Sequence, residues 1–172
     1  MMLYLKYMVS LRCKLFVQNE LEKLGYKYAN VDLGVVEVIK EMQPLQITEF
    51  KRALLQVGLE LMDNKKSILI ENIKNIIVEM IHHNDNLPKV NYSEYISEKL
   101  GYDYTYLANT FSEVKGMTIQ HFIIIHKIER VKELLLYDEL SLTEISYKLH
   151  YSSVSHLSNQ FKKITGLSTN FL

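Results

Sequence analysis

A single cysteine, six histidines and a crowd of twelve tyrosines are the residues of this chain with chemistry to offer. Cys13 stands at the start of a helical run, where a helix N-terminus favours the thiolate, yet no second soft ligand lies beside it. It reads as a packed, inert thiol. His82 and His83, with Asp85 close behind, suggest a metal site, but adjacent histidines on a helix point to different faces, and the pair reads as a surface feature. His126 lies in an apolar stretch and reads as a hydrogen-bonded core histidine. Tyr92, Tyr95, Tyr102, Tyr104 and Tyr106 crowd one segment and could stack on bases or touch phosphates through their hydroxyls. No glycine-rich phosphate loop, Ser-His-Asp set or metal-spaced Cys/His cluster stands out, so an enzymatic reading has no residues to carry it. No metal and no cofactor is expected.

The elements that must position these groups fit a chain of 172 residues, 48% hydrophobic and 23% charged, which is enough for two small cores. One cysteine rules out an internal disulfide framework, no signal-peptide pattern opens the sequence, and no apolar run approaches the roughly 20 residues a membrane helix needs. A soluble protein of the reducing cytoplasm is expected. The formal net charge is zero, and residues 84–172 hold nine Lys plus Arg against ten Asp plus Glu. That balance counts against any polyanionic partner.

The second half repeats itself. Ile96-Ser97-Glu98-Lys99-Leu100-Gly101-Tyr102 recurs as Ile145-Ser146-Tyr147-Lys148-Leu149-His150-Tyr151, Leu107-Ala108-Asn109-Thr110-Phe111 as Leu157-Ser158-Asn159-Gln160-Phe161, and Gly116-Met117-Thr118 as Gly166-Leu167-Ser168. Apolar residues four apart (Ile96 and Leu100, Ile145 and Leu149) predict one short helix per repeat, followed after a tight turn by another. Ser141 with Glu144 has capping-box spacing, Asp103 and Ser152 are candidate caps of the second helices, and Gly116 and Gly166 suit helix ends. The two units span about 92–116 and 141–166. Between them, about 118–137 predicts a long buried helix, and residues 66–83 predict an amphipathic helix ahead of the first unit.

The first 62 residues have a different rhythm: strand-like runs at 3–9, 28–33 and 35–39, helical runs at 11–24 and about 47–57, and a closing strand at 59–62. Gly34 marks a hairpin and Gly25 a helix end. The order predicts a ferredoxin-like βαββαβ module over residues 1–63, making the fold class α+β followed by an all-α double helix-turn-helix domain over 64–172. Residues 63–66 mark the boundary and 84–88 a second loop.

These residues resemble the DNA-binding domain of AraC/XylS-type bacterial transcription regulators. The likeness rests on Leu-x-x-x-Phe-x-x-x-x-Gly in both units (Leu107, Phe111, Gly116; Leu157, Phe161, Gly166), on residues 127–135 of the connecting helix, and on residues 142–149 leading into 152–166. It implies two recognition helices entering successive major-groove segments, their spacing fixed by the connecting helix. By position it implies groove contacts from Thr105, Ala108 and Asn109 in the first unit and from Ser155, His156 and Asn159 in the second. Asn can pair bidentately with adenine, and Ser or Thr can serve either kind of base. Many relatives have Arg where this chain has Asn109 and Asn159, so phosphate or guanine contacts are weakened. Tyr104 and Tyr106 remain candidate phosphate contacts. Lys162 and Lys163 read equally well as phosphate contacts and as a solvated helix end. Thr169 replaces the expected proline, and the last helix is expected to be short.

A weaker resemblance links residues 1–62 to the heavy-metal-associated fold. Met8-x-Ser10-x-x-Cys13 falls where that family has Met-x-Cys-x-x-Cys, and Ser10 in place of a thiolate implies a retained shape without the metal chemistry. The leading expectation is a non-enzymatic, sequence-specific transcription regulator. Its expected partners are double-stranded DNA, the transcription machinery and a second copy through residues 1–63, with no membrane. Two alternatives stand beside it: an interaction module that keeps the fold without binding DNA, and a ligand or metal sensor acting through residues 1–63.

Overall fold

The computed structural model describes residues 1–83, 91–137 and 140–169. The sequence-predicted loop at 84–88, Asp85 and the end of the chain after residue 169 lie outside the described residues. Contacts divide the chain into two compact units, Met1–Glu71 with Thr105–Thr118, and Asn72–Tyr104 with Ile119–Leu172.

In the first unit the order is β1 (Met2–Lys6), α1 (Leu11–Lys23), β2 (Tyr28–Asp32), β3 (Val35–Val38), α2 (Pro44–Gln56) and β4 (Glu60–Leu61). The four strands form an antiparallel sheet in the order β2-β3-β1-β4. Leu3 and Leu5 of β1, Val36 and Val38 of β3, Val17 and Leu21 of α1, and Phe50 and Leu54 of α2 share one buried core. Burying each such side chain contributes about 1.5–3 kcal/mol.

Two boundaries differ from the sequence expectation, each for a local reason. Strand β1 stops at Lys6 rather than Val9 because Tyr7 takes a left-handed φ of 69°, which turns the chain and sends Met8 into the core. Helix α2 begins at Pro44, three residues ahead of the first apolar repeat. Proline at its first turn needs no N–H partner, and Gln43 and Gln46 form a reciprocal capping box.

Helix α3 (Asn64–His82) runs from the first unit into the second. It is followed by α4 (Tyr92–Leu100), α5 (Tyr104–Lys115), α6 (Ile119–Tyr137), α7 (Leu142–Lys148) and α8 (Val154–Thr165). Contacts place α5 in the first unit and α4, α6, α7 and α8 in the second. The second unit's core joins Met80 of α3, Ile128, Val131 and Leu134 of α6, Ile145 and Leu149 of α7, Tyr151, and Leu157 and Phe161 of α8. No helix among the described residues is long and apolar enough to cross a membrane.

Candidate nucleic-acid interface

Helices α5 and α8 have twelve residues each and bury the same two repeat positions, Leu107 with Phe111 and Leu157 with Phe161. These lie four apart and so face one way, which leaves Asn109 and Asn159 exposed between them, while Thr110 of α5 is buried. Helix α8 ends at Gly166 in the left-handed conformation, and Gly116 after α5 has the same conformation.

Each of α5 and α8 is preceded by a short helix with its own cap. Asn91 accepts the Ser93 N–H ahead of α4 at 3.1 Å, and Ser141 accepts the Glu144 N–H ahead of α7 at 3.2 Å. Ser141 also donates its hydroxyl to Glu144 Oε1 at 3.1 Å. The turn after each short helix needs a left-handed residue: Gly101 at φ 71° in the first unit and His150 at φ 58° in the second. Ahead of α8 the N-cap is Ser153, which accepts the His156 N–H at 3.0 Å, and not Ser152. Ser152 lies one residue too early to reach that N–H, and its hydroxyl pairs with His156 Nδ1 at 3.0 Å instead.

A family model described as a helix-turn-helix domain matches residues 96–170. The C-terminal domain of AraT, a response regulator from Geobacillus stearothermophilus, superposes with a TM-score of 0.51 at 25% identity, covering 60% of this chain and 81% of that one. A Chromobacterium violaceum regulator described as containing an AraC-type DNA-binding domain shares the fold, with a TM-score of 0.54 at 15% identity over 63% of this chain and 92% of that one. Residues 96–170 match a helix-turn-helix domain and share the fold of an AraC-type DNA-binding domain.

Curated relatives agree. An uncharacterized HTH-type transcriptional regulator of Staphylococcus aureus is 30% identical over 104 residues, which is 59% of this chain. The F1 operon positive regulatory protein of Yersinia pestis is 38% identical over 66 residues, 38% of this chain. The match spans only 13% of the first relative and 22% of the second.

Within the matched region, Thr105 and Asn109 of α5 are exposed and Ala108 is half-buried, while Ser155, His156 and Asn159 of α8 are all exposed. Asn109 and Asn159 occupy the same repeat position, as do Thr105 and Ser155. Tyr106 is exposed, whereas Tyr104 is half-buried, and burial pushes its hydroxyl above the usual tyrosine range. Lys162 and Lys163 stand exposed in the last turn of α8. Their counterparts in α5 are Ser112 and Glu113. The last turns of α5 and α8 therefore differ in charge.

Tyr92, Tyr95 and Tyr151 build rather than present. Tyr151 is buried in the second core with Tyr92 and Tyr95 packed beside it. Lys127 of α6 places its ammonium 5.5 Å from the centre of the Tyr92 ring and 5.1 Å from that of Tyr151. Desolvation holds Lys127 below the usual lysine range and pushes Tyr92 up to about 12. Tyr151 donates its hydroxyl to Gln160 Oε1 at 2.7 Å, and the His156 ring sits edge-on to it at 5.3 Å. This Lys127 clamp was not singled out in the sequence; a lysine within an otherwise apolar helical face was the available signal.

His82 is not a surface residue. It is half-buried, with Nε2 at 3.0 Å from His126 Nδ1 and Nδ1 at 3.3 Å from Glu133 Oε1. His83 is exposed. The last turn of α3 meets α6 there, so the first of the two adjacent histidines turns inward. His126 is half-buried and hydrogen-bonded through this pair. Cys13 is half-buried, 3.5 Å from the Ser10 hydroxyl, and that contact holds its thiol below the usual range. No three His, Cys, Asp or Glu among the described residues gather as metal ligands.

Proposed function

We propose that the chain is a sequence-specific DNA-binding transcription regulator of the cytoplasm, in which α5 and α8 enter successive major-groove segments. The observation that carries this reading is the repeated outward set: Thr105 and Asn109 recur as Ser155 and Asn159 on helices of equal length within an AraC-type domain. Asn offers a bidentate match to adenine, and Ser or Thr can serve either kind of base. Ala108 offers an apolar contact to a thymine methyl. With the Ser152 hydroxyl donating to Nδ1, His156 would carry its proton on Nε2 and present a donor to a base acceptor. Lys162, Lys163 and the hydroxyls of Tyr104 and Tyr106 would contact phosphates, fixing register without reading sequence.

We read residues 1–63 as a ferredoxin-like module and 64–172 as the DNA-binding domain. The strand order β2-β3-β1-β4, with every neighbouring pair antiparallel, supports the first assignment. The module would mediate self-association, and DNA-bound protein would act on the transcription machinery. An open cleft of about 500 Å³ lined by Tyr26, Lys27, Lys40, Gln43 and Gln46 is where a sensor reading would place its ligand.

Selection from a randomised duplex library at low and near-physiological salt tests the reading. The expected motif has two contact segments about one helical turn apart. Asn159→Ala should cost about 1–3 kcal/mol and relax one position of one segment, and Lys162→Ala with Lys163→Ala should lower the salt slope by about 2. Retention of no duplex at either salt would favour the interaction-module reading, which the zero net charge and the exposed Tyr137 and Tyr147 support.

A further inference from the structure

Strand β1 is buried along Leu3–Lys6 without interruption. Strand residues alternate faces, and Leu3 and Leu5 face the core beneath α1 and α2. Tyr4 and Lys6 therefore lie on the opposite face, yet they are only 1% and 8% exposed. A lysine this covered needs a partner. Its ammonium reaches Glu113 Oε2 of α5 at 2.9 Å and Glu60 Oε1 of β4 at 3.8 Å. The hydrogen bond to Glu113 raises the Lys6 pKa against the opposing effect of burial.

A second contact joins the same two elements. Gly34, at the tip of the β2–β3 hairpin with φ 78°, lies against the backbone of α5, and a Cβ there would stand 2.5 Å from the Val114 carbonyl oxygen. Two consecutive residues at the end of α5, Glu113 and Val114, thus meet β1 and the hairpin.

We propose that the N-terminal sheet is the seat of the first recognition helix, with Lys6 as a positioning residue for what α5 reads. This rests on the DNA-binding reading for its consequence, though not for its physical content. Where α8 carries the exposed Lys163, α5 carries Glu113 in a partly buried ion pair with Lys6, so the two recognition helices are held by different parts of the chain. Loosening the seat should disturb one half of the DNA motif only.

The test is region-resolved hydrogen exchange on the full chain, joined to duplex selection, for Lys6→Met, Glu113→Gln and the exchanged pair Lys6→Glu with Glu113→Lys. Each single variant should speed exchange in α5 about tenfold, as expected for a pair between the fully exposed and fully buried limits, and leave α8 unchanged. Glu60→Gln, which removes a Lys6 partner outside α5, should change α5 far less. In selection, the singles should lose base preference in the segment read by α5 and keep the α8 segment, and the exchanged pair should recover much of it. Unchanged α5 exchange in both singles would overturn the proposal, as would equal loss in α5 and α8. If the unmodified chain selects no duplex, the DNA-binding reading fails while the exchange experiment still decides whether the sheet seats α5.

Discussion

The first repeat turns at Gly101 and ends in α5, which is grouped with the N-terminal sheet; the second turns at His150 and ends in α8, which packs Leu157 and Phe161 into a helical core. Their inward apolar positions align, Ile96 with Ile145, Leu107 with Leu157 and Phe111 with Phe161, so the difference comes from the turn residue, from Glu113 against Lys163, and from what surrounds them. In the second unit Leu157 and Phe161 share a core with α6 and α7, and Tyr151 ties the turn to Gln160. In the first, the end of α5 leans on Lys6 and Gly34, residues more than seventy positions away in sequence. A repeated sequence conserves the inward positions of a motif and leaves its support to the rest of the chain.

The largest effects should come from the paired phenylalanines. Phe111 and Phe161 are 0% and 1% exposed, and replacing either by Ala should cost about 3–5 kcal/mol through lost burial and the cavity left behind. If the two units differ as described, Phe111→Ala lowers hydrogen-exchange protection first in α5 and the N-terminal strands, and Phe161→Ala first in α6, α7 and α8. Uniform loss in both variants would mean that the chain unfolds as one body and that the comparison has no energetic meaning.

A smaller effect sharpens the comparison at the turns. Left-handed backbone costs a residue with a Cβ about 1–2 kcal/mol, and glycine almost nothing. His150→Gly should therefore stabilise the second repeat by about 0.5–1 kcal/mol, and Gly101→Ala should destabilise the first repeat by about 1 kcal/mol. Nothing stands within 4 Å of a Cβ at Gly101, so the second cost is conformational and not steric. Urea denaturation of both variants reads the pair of opposite signs. A destabilised His150→Gly would show that the histidine side chain contributes more than its backbone costs.

Much of this was legible in the sequence because it is local. The repeat, the inward Leu and Phe positions, the connecting helix and the order of strands and helices in residues 1–62 follow from periodicity, turn residues and caps. The outward set on α5 and α8 came only from the resemblance to AraC/XylS-type domains, carried over by position. What stayed hidden is non-local. Leu3-Tyr4-Leu5 reads as a strand, but only the fold shows that both of its faces are covered and that Lys6 must find a carboxylate on α5. His82 read as a surface residue because its partners, His126 and Glu133, lie over forty residues away. The Ser152 cap was misplaced by one residue, since two adjacent serines offer the same hydroxyl and only backbone geometry chooses between them.

The smallest expected effect is a pH dependence confined to the second unit. His126 packs against the Phe122 ring at 4.4 Å and faces His82 from α3; burial first, then the His82 and Lys74 charges, depress its pKa against the opposing effect of Glu129. Glu133, held by Arg130 at 2.9 Å, lies behind His82. A histidine whose folded pKa lies below its unfolded value of 6.5 binds its proton more readily in the unfolded chain. Its contribution is therefore fully present above that value and is lost as pH falls below it toward the folded pKa. Protection of α6 and α8 should decline between pH 8 and pH 5.5 while that of α5 holds, and His126→Gln should flatten the decline. A parallel fall in α5 would assign the titration to groups common to both units rather than to the histidine pair.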